Sequence, residues 1–420
     1  MKKRKKKNPL ECIIESCQLI SSTLDLEEVL RCVTSMSSDI LGAEAGSLML
    51  MDDSGKKLDF AVAIGAKGKQ LEEGFSLELG QGIAGWAAEK GEPVIVPDVS
   101  KDKRFFGKPD KQTGFQTHSI LAVPLKIKDR IIGVLEAVNS RQGPSFGEQD
   151  VPLFQAFASQ VAIAVENARM HQRILKQQKL EQELAVASEI QGFILPPKEH
   201  KIGRFSISAE YIPARKIGGD FFDVITTNSG KIIVAIGDVS GKSIPAALYM
   251  MRVITFLRVI AEKEADITEI AFRLNNRLCR RPSRGMFATA ILILIDTAGE
   301  TLSMVNAGHP APIEVNKKGV RYLQESSLNI PVGITANTKY RKITMDIKKG
   351  SSFFLYTDGI IEARNGKGEE FGAGKLIKQF RVGEDDEEKD VLKKVFAEVE
   401  KFTRQTPQHD DLSALLIKAE

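Results

Sequence analysis

The sequence predicts an α+β chain of two domains joined by a helix. Three features carry that reading. A length of 420 residues exceeds what one ordinary core accommodates. Short apolar runs closed by turn clusters alternate with helical patterns in both halves. A stretch rich in Gln, Glu, Lys, Leu and Ala near the middle ends at Pro196-Pro197, through which no helix continues.

Composition narrows the class. Hydrophobic residues at 42% and charged residues at 27% are globular values and exclude a disordered or fibrous chain. A net charge of +4 is small for this length and carries no nucleic-acid signature. Cys12, Cys17, Cys32 and Cys279 form no CxxC pair and no metal-ligand spacing, which fits reduced thiols in a cytoplasmic protein. The basic run over residues 1–8 lacks the apolar stretch of a signal peptide and reads as a solvated tail. No run of 18 consecutive apolar residues occurs, so no transmembrane segment is expected.

The elements follow in order. Leu26, Val29, Leu30, Val33 and Met36 recur at helical spacing within residues 10–41. Gly46 to Met51 is a strand ended by the turn cluster Asp52-Asp-Ser-Gly55, and Leu58 to Ala63 is its neighbour. Gly80 to Glu89 reads as a loop feeding a short helix. Ser119 to Leu125 and Ile131 to Val138 are strands joined by the polar turn Lys128-Asp-Arg130, and a long helix starts near Phe146.

These pieces resemble a GAF domain, a small antiparallel sheet flanked by helices. The resemblance covers residues 9–170 through Gly82-Ile-Ala-Gly85, Pro93-Val-Ile-Val-Pro-Asp98, Ala122-Val-Pro-Leu125 and Gly133-Val-Leu with Asn139 after it. It implies a sensory role with an unknown small-molecule or protein signal. Residues 171–198 then form a helical linker whose Leu180, Leu184, Ala187, Gln191 and Ile194 step by threes and fours, a coiled-coil-like seam that Gln191 interrupts. Its expected role is to transmit a signal within a homodimer.

From 199 to 420 the pattern is strand-rich. Ile232 to Ile236, Ala288 to Ile295 and Ser352 to Tyr356 are buried strands, while Ile244 to Ile260 and Lys389 to Phe402 are helices. A β-sandwich with helices outside accounts for this order. Four aspartates close apolar strands or sit beside glycine or another acid: Asp220, Asp238, Asp358 and Asp410. Strand ends present side chains to a common edge, and carboxylates without cysteine suit hard ions such as Mg²⁺ or Mn²⁺.

The same segments resemble the PPM (2C-type) serine/threonine phosphatases, in the bacterial branch typified by SpoIIE and RsbU. Matching stretches are Pro213-Ala-Arg-Lys-Ile-Gly-Gly-Asp-Phe-Phe-Asp223, Gly237-Asp-Val-Ser-Gly-Lys242, Pro245-Ala-Ala-Leu, Met286-Phe-Ala-Thr-Ala, Val305-Asn-Ala-Gly-His-Pro310, Ile330-Pro-Val-Gly, Tyr356-Thr-Asp-Gly-Ile-Ile-Glu-Ala and Asp410-Asp-Leu-Ser. The resemblance implies two divalent ions, Mn²⁺ or Mg²⁺. Asp238 would bridge them, the Val239 carbonyl would reach one, Asp358 and Asp410 would complete one shell, and Asp220 would serve the other ion. Asp411 competes with Asp410 for the ligand role, and Asp223 is a supporting group. Two such ions, about 3.5–4 Å apart, activate water against a phosphoryl group. Arg215 is the candidate clamp for the phosphoryl oxygens, and His309 reads as a structural histidine rather than a general acid. Ser243 stands where the family usually has glycine. The resemblance also implies a phosphorylated anti-sigma-factor antagonist as substrate.

Two other classes compete. A non-catalytic module of phosphatase fold would keep the shape without turnover. A P-loop ATPase would need four residues between its first glycine and Gly241-Lys242, and Gly237 is one too close.

Overall fold

The computed structural model describes residues 25–64, 75–263, 266–281, 285–298, 300–323, 329–380, 388–404 and 406–420. The basic tail, Cys12 and Cys17 fall outside them. Contacts divide the chain into two compact units after Leu180.

The first unit opens with α1 (Leu26–Leu41). The Asp25 carboxylate caps its start by accepting from the Glu28 amide at 3.0 Å, and Gly42 ends it at φ 61°. Six strands follow: β1 (Ala43–Met51), β2 (Lys57–Ile64), β3 (Ser76–Glu78), β4 (Val94–Val96), β5 (Ile120–Ile127) and β6 (Arg130–Ser140). They make one antiparallel sheet in the order β3-β2-β1-β6-β5-β4. Helices α2 (Gly82–Lys90) and α3 (Lys108–Thr113) lie between strands, and α4 (Val151–Ile194) comes last.

Period-two alternation sorts this sheet's faces. Leu121, Val123, Leu135 and Ala137 join α1 and Phe154, Phe157, Val161 and Val165 of α4 in one core. Met49, Ala122 and Val134 join Ile83, Ala84 and Ala87 of α2 in another. Helix α4 runs without a break through the expected linker and stops two residues before the proline pair. Its polar middle leaves Ile174 and Leu180 about half exposed.

The second unit is a four-layer sandwich. One sheet has the order β15-β12-β11-β10-β9 and the other β14-β13-β16-β17-β8-β7, all pairs antiparallel. The first holds β9 (Phe221–Thr226), β10 (Ile232–Val239), β11 (Ala288–Asp296), β12 (Thr301–Ala307) and β15 (Ile343–Asp346). The second holds β7 (Glu199–Ile202), β8 (Phe205–Ile212), β13 (Ile313–Asn316), β14 (Gly319–Tyr322), β16 (Ser352–Tyr356) and β17 (Leu412–Ala419).

Strand β10 shows why the sequence is apolar at every position from Ile232 to Ile236. Ile232, Val234 and Ile236 pack between the sheets with Phe353, Leu355, Leu415 and Ile417. Ile233, Ala235 and Val239 face α5 (Ile244–Ala261) and α6 (Ile267–Cys279) on the outside. Each such aliphatic side chain stabilises the fold by about 1.5–3 kcal/mol, so both faces must be covered. The far sheet is covered in turn by α8 (Glu388–Thr403), through Leu392, Val395 and Val399.

Helix α6 went unrecognised in the sequence, although Asp266 caps it and Ile267, Ile270, Ala271, Leu274 and Leu278 line its buried side. Helix α5 bears on the expectation of no membrane segment. Its 18 residues, at mean hydropathy 1.6, are long and apolar enough to cross a bilayer. Half of the helix is nonetheless buried in the unit, with Met250, Val253, Ile254 and Leu257 inside the core.

Candidate metal centre

The two sheets bring acidic residues to one end of the sandwich. Asp220 immediately precedes β9 and Asp238 lies in the last turn of pleat of β10, and Gly237 pairs with Phe221 across that edge. On the other sheet Asp358 opens the short helix α7 (Asp358–Glu362) just after β16, while Asp410 and Asp411 immediately precede β17. Tyr356 pairs with Ala414 there. Parity aims Asp238: it continues the series Ile232, Val234, Ile236, whose side chains face the second sheet.

Asp220 ties this end together. It is 2% exposed, and its Oδ2 accepts from the Thr357 hydroxyl at 2.8 Å and from the Ser413 hydroxyl at 2.6 Å. Both hydroxyls come from the opposite sheet. Burial, then the charge of Asp238, drives the Asp220 carboxyl well above its usual range. Asp238 is pushed up to about 7 by burial and next by the charge of Asp358, partly offset by a hydrogen bond from Asp220. Asp358 is raised by burial and then by Asp410. Asp220, Asp238, Asp358 and Asp410 thus share one field, with mutual repulsion as its main feature.

Asp410 and Asp411 take different partners. Asp411 turns inward, 8% exposed, and accepts from the backbone amides of Ala214 at 2.8 Å and Gly219 at 2.7 Å. This carboxylate props the loop that carries Asp220. Asp410 faces the recess and pairs with Lys242 at 3.0 Å. Among the described residues, no three acidic, histidine or cysteine groups already form a closed ligand set. Like charges this close stay apart unless a cation draws them in, and Lys242 and the loop amides each hold one carboxylate aside.

The donor set fits a hard divalent cation: carboxylate oxygens, no thiolate, and raised pKa values that a positive charge would reverse. Val239 belongs to the same place, because a β-carbon on Gly219 would lie 3.2 Å from the Val239 carbonyl oxygen and 3.5 Å from Asp238 Oδ1. Gly218 is required more strictly. A side chain there would collide with the Asp411 carboxylate and the Tyr211 hydroxyl.

Arg215 donates to the Ser243 hydroxyl at 2.8 Å. Ser243 itself adopts φ 68°, ψ −150°, a region that glycine tolerates and serine enters only with strain. The loop therefore keeps a glycine-like backbone and uses the extra hydroxyl to hold Arg215. Arg215, Lys242, Ser243, His409, Asp410 and Asp411 are among the residues around a polar recess of about 240 Å³.

Asp223 and His309 lie outside this group. Asp223 pairs with Arg258 at 2.7 Å, and the same guanidinium donates to the Ile194 carbonyl at 2.7 Å. His309 is buried, bonded through Nδ1 to the Thr289 hydroxyl at 2.9 Å, and burial pushes its pKa down to about 3. It is a neutral structural histidine.

Three contributors escaped the sequence reading. Thr357 and Ser413 each sit within two residues of an assigned aspartate, a signal in plain view. The third is Gln191, 3% exposed. Its amide donates to the Gly218 carbonyl at 2.8 Å and accepts from the Gly218 amide at 3.2 Å. The polar residue that interrupts the linker seam is thus docked on the loop that presents Asp220.

Comparison with known proteins agrees with this architecture. Residues 25–165 match the GAF domain model, and residues 228–420 match the model of stage II sporulation protein E (SpoIIE). Phosphoserine phosphatase RsbU of Bacillus subtilis is 24% identical over 294 residues, covering 69% of this chain and 86% of that protein. Protein IcfG of Synechocystis is 28% identical over 222 residues, 46% of this chain. A dual cyclic-AMP and -GMP phosphodiesterase 11A of Takifugu rubripes is 33% identical over 175 residues, 40% of this chain. The alignments span only 35% of IcfG and 19% of the phosphodiesterase. Among solved structures, the SiaA-PP2C domain of Pseudomonas aeruginosa shares the fold, with a TM-score of 0.53 at 21% identity, over 58% of this chain and 99% of that one. The fold and the acidic edge define a chain with a PP2C-like domain. Its first part, residues 25–165, matches a GAF domain, and its second, residues 228–420, matches a SpoIIE-type PPM phosphatase domain.

Proposed function

We propose that this chain is a metal-dependent phosphoprotein phosphatase acting on phosphoserine or phosphothreonine, in a cytoplasmic signalling cascade. One observation carries the reading: Asp220 and Asp238 from one sheet and Asp358 and Asp410 from the other converge on a single edge. Asp238, Asp358, Asp410, Asp220 and the Val239 carbonyl would hold Mn²⁺ or Mg²⁺, two ions in the family pattern, with Asp411 positioning the Asp220 loop. Bound there, the ions supply Lewis acidity and an activated water.

The chain's own groups do the rest. Arg215, anchored by Ser243, offers a planar cationic fork to the phosphoryl oxygens in the adjoining recess. Lys242 pairs with Asp410 at 3.0 Å, and this carboxylate would have to leave the lysine to hold a cation. Similarity to a phosphoserine phosphatase supports a phosphoprotein substrate, and the family resemblance of the second domain points within that class to a phosphorylated anti-sigma-factor antagonist.

Control by the GAF domain follows one route. A signal that turns or shifts α4 would move Gln191 on Gly218, and Arg258 between Ile194 and Asp223. A homodimer through the first domain and α4 would supply that motion, using exposed apolar residues such as Met170 and Ile174.

The test is phosphate release from candidate phosphoproteins by the full chain, with Mn²⁺, Mg²⁺ or EDTA. Release must depend on the ion and fall at least 100-fold in Asp238→Asn and Asp358→Asn. Full turnover in either variant refutes the assignment, and equal turnover in EDTA does so independently.

A further inference from the structure

A second polar feature sits in the GAF domain, far from any use in the phosphatase reading. Glu136 lies at the centre of β6, paired with Ser47 of β1 and Ala122 of β5. Its neighbours of the same parity, Val134 and Val138, face the α2 side of the sheet. Glu136 is 8% exposed, and its Oε2 accepts from the Ser47 hydroxyl at 2.8 Å. Ser47 is its only hydrogen-bond partner among the described residues.

A carboxyl in such a place is costly. Buried charge is tolerated when paired, and among the described residues no cation pairs with this one. Burial pushes the group up to about 7, with the Ser47 hydroxyl pulling the other way.

Glu136 also borders a cavity of about 110 Å³. Phe60, Phe105, Phe106 and Phe115 contribute aromatic walls, and Ile83 and Ala84 of α2 form part of the lining. The size is well below the roughly 300–1,000 Å³ of drug-sized pockets, which restricts the occupant to a small molecule. Charge restricts it further. The described lining contains two acids, Glu136 and Asp110, and no lysine, arginine or histidine. Asp110 is already engaged, accepting from the Thr117 amide and hydroxyl, both at 2.8 Å. Among the described lining residues, a phosphate or carboxylate placed here would meet no cationic side chain.

We propose that this cavity binds a small organic cation, with an apolar body among the phenylalanines and a protonated amine donating to Glu136. The match is chemical at both ends. Aromatic faces attract ammonium groups and cover apolar surface, and a charge-assisted hydrogen bond supplies the partner that Glu136 lacks. This rests on the sensory reading of the first domain and names its ligand class.

The experiment uses the full-length protein and three probes of similar size: benzylamine, phenylacetate and toluene. Binding is read by calorimetry and by the fluorescence of Trp86, the single tryptophan, which lies in α2. Benzylamine should bind saturably and at least tenfold tighter than either other probe. Glu136→Gln, nearly isosteric, should weaken benzylamine at least tenfold without lowering the melting temperature. Glu136→Asp, which withdraws the carboxylate, should do the same and serves if the glutamine variant fails to fold. Ser47→Ala should retain binding.

Phenylacetate binding as tightly as benzylamine overturns the proposal. So does the absence of saturable benzylamine binding, or equal affinity in the wild type and a folded Glu136 variant. Phosphate release with Mn²⁺ is measured separately, so loss of the phosphatase reading and loss of this one give different results.

Discussion

Replacing Gln191 with alanine should uncouple the long helix from the metal-binding loop. The side chain makes two hydrogen bonds to the backbone of one buried residue, Gly218, two residues before Asp220. Truncation leaves a buried N–H and a buried C=O without partners, at about 1–3 kcal/mol each. Some water enters the gap, so a net loss of about 2–3 kcal/mol is expected, at the low end of that sum. For a domain of this size each kcal/mol lowers the melting temperature by about 2–4 °C. The larger effect should be on the ions. Gly218 and Gly219 bridge Gln191 and the Asp411 carboxylate to Asp220, and groups that orient metal ligands typically contribute about 10–100-fold in affinity. The assay is phosphate release against Mn²⁺ concentration, with melting in EDTA as the stability control. Half-saturation should rise at least tenfold. Gln191→Glu should fall between, because a carboxylate accepts from the Gly218 amide but cannot donate to its carbonyl. A half-saturation unchanged within twofold, alongside the expected drop in melting temperature, would show that Gln191 only staples the helix, and the coupling argument would fail.

Other outcomes follow from the same geometry. Ser243→Gly relieves a positive-φ serine, so melting should rise by the equivalent of about 1–2 kcal/mol, while loss of the Arg215 anchor raises KM for phosphoprotein; a lower melting temperature contradicts the strain argument. Lys242→Met removes the charge that holds Asp410 aside and should tighten Mn²⁺ binding in calorimetry several-fold; weaker binding means the lysine supports the site instead. The EDTA-treated protein should lose stability as pH rises from about 4 towards 8. Asp238 at about 7 keeps its proton in the folded state where the unfolded chain has released it, so the native state binds more protons across that window and rising pH favours unfolding. Saturating Mn²⁺ should flatten the profile, and a stability that climbs through the same range would exclude the repulsive carboxylate cluster. Thr357→Val should destabilise by about 1–3 kcal/mol, since it removes one of the two hydroxyls that satisfy Asp220, and an unchanged urea midpoint would argue against that role.

Local pattern alone determined a good deal of this protein. Strand β16 was legible at Ser352 to Tyr356 because Phe353, Phe354, Leu355 and Tyr356 form a run buried on both faces, and α5 because its run is long, follows a glycine turn and has proline near its start. The acidic edge was legible for a related reason. Asp238 and Asp358 each end an apolar strand beside glycine, where a charged group has no structural excuse unless something binds it.

Tertiary structure decided the rest. Asp410 and Asp411 are neighbours of identical chemistry, and only the pairing of β17 with β8 and β16 assigns one to Lys242 and the other to the amides of Ala214 and Gly219. Gln191 looked like a flaw in a coiled-coil seam because its partner, Gly218, lies 27 residues away. Periodicity records which face of an element is covered and is silent on what covers it. Hydrogen-bond partners, carboxylate proximity and the raised pKa values of Asp220 and Asp238 arise only when distant strands close on one another.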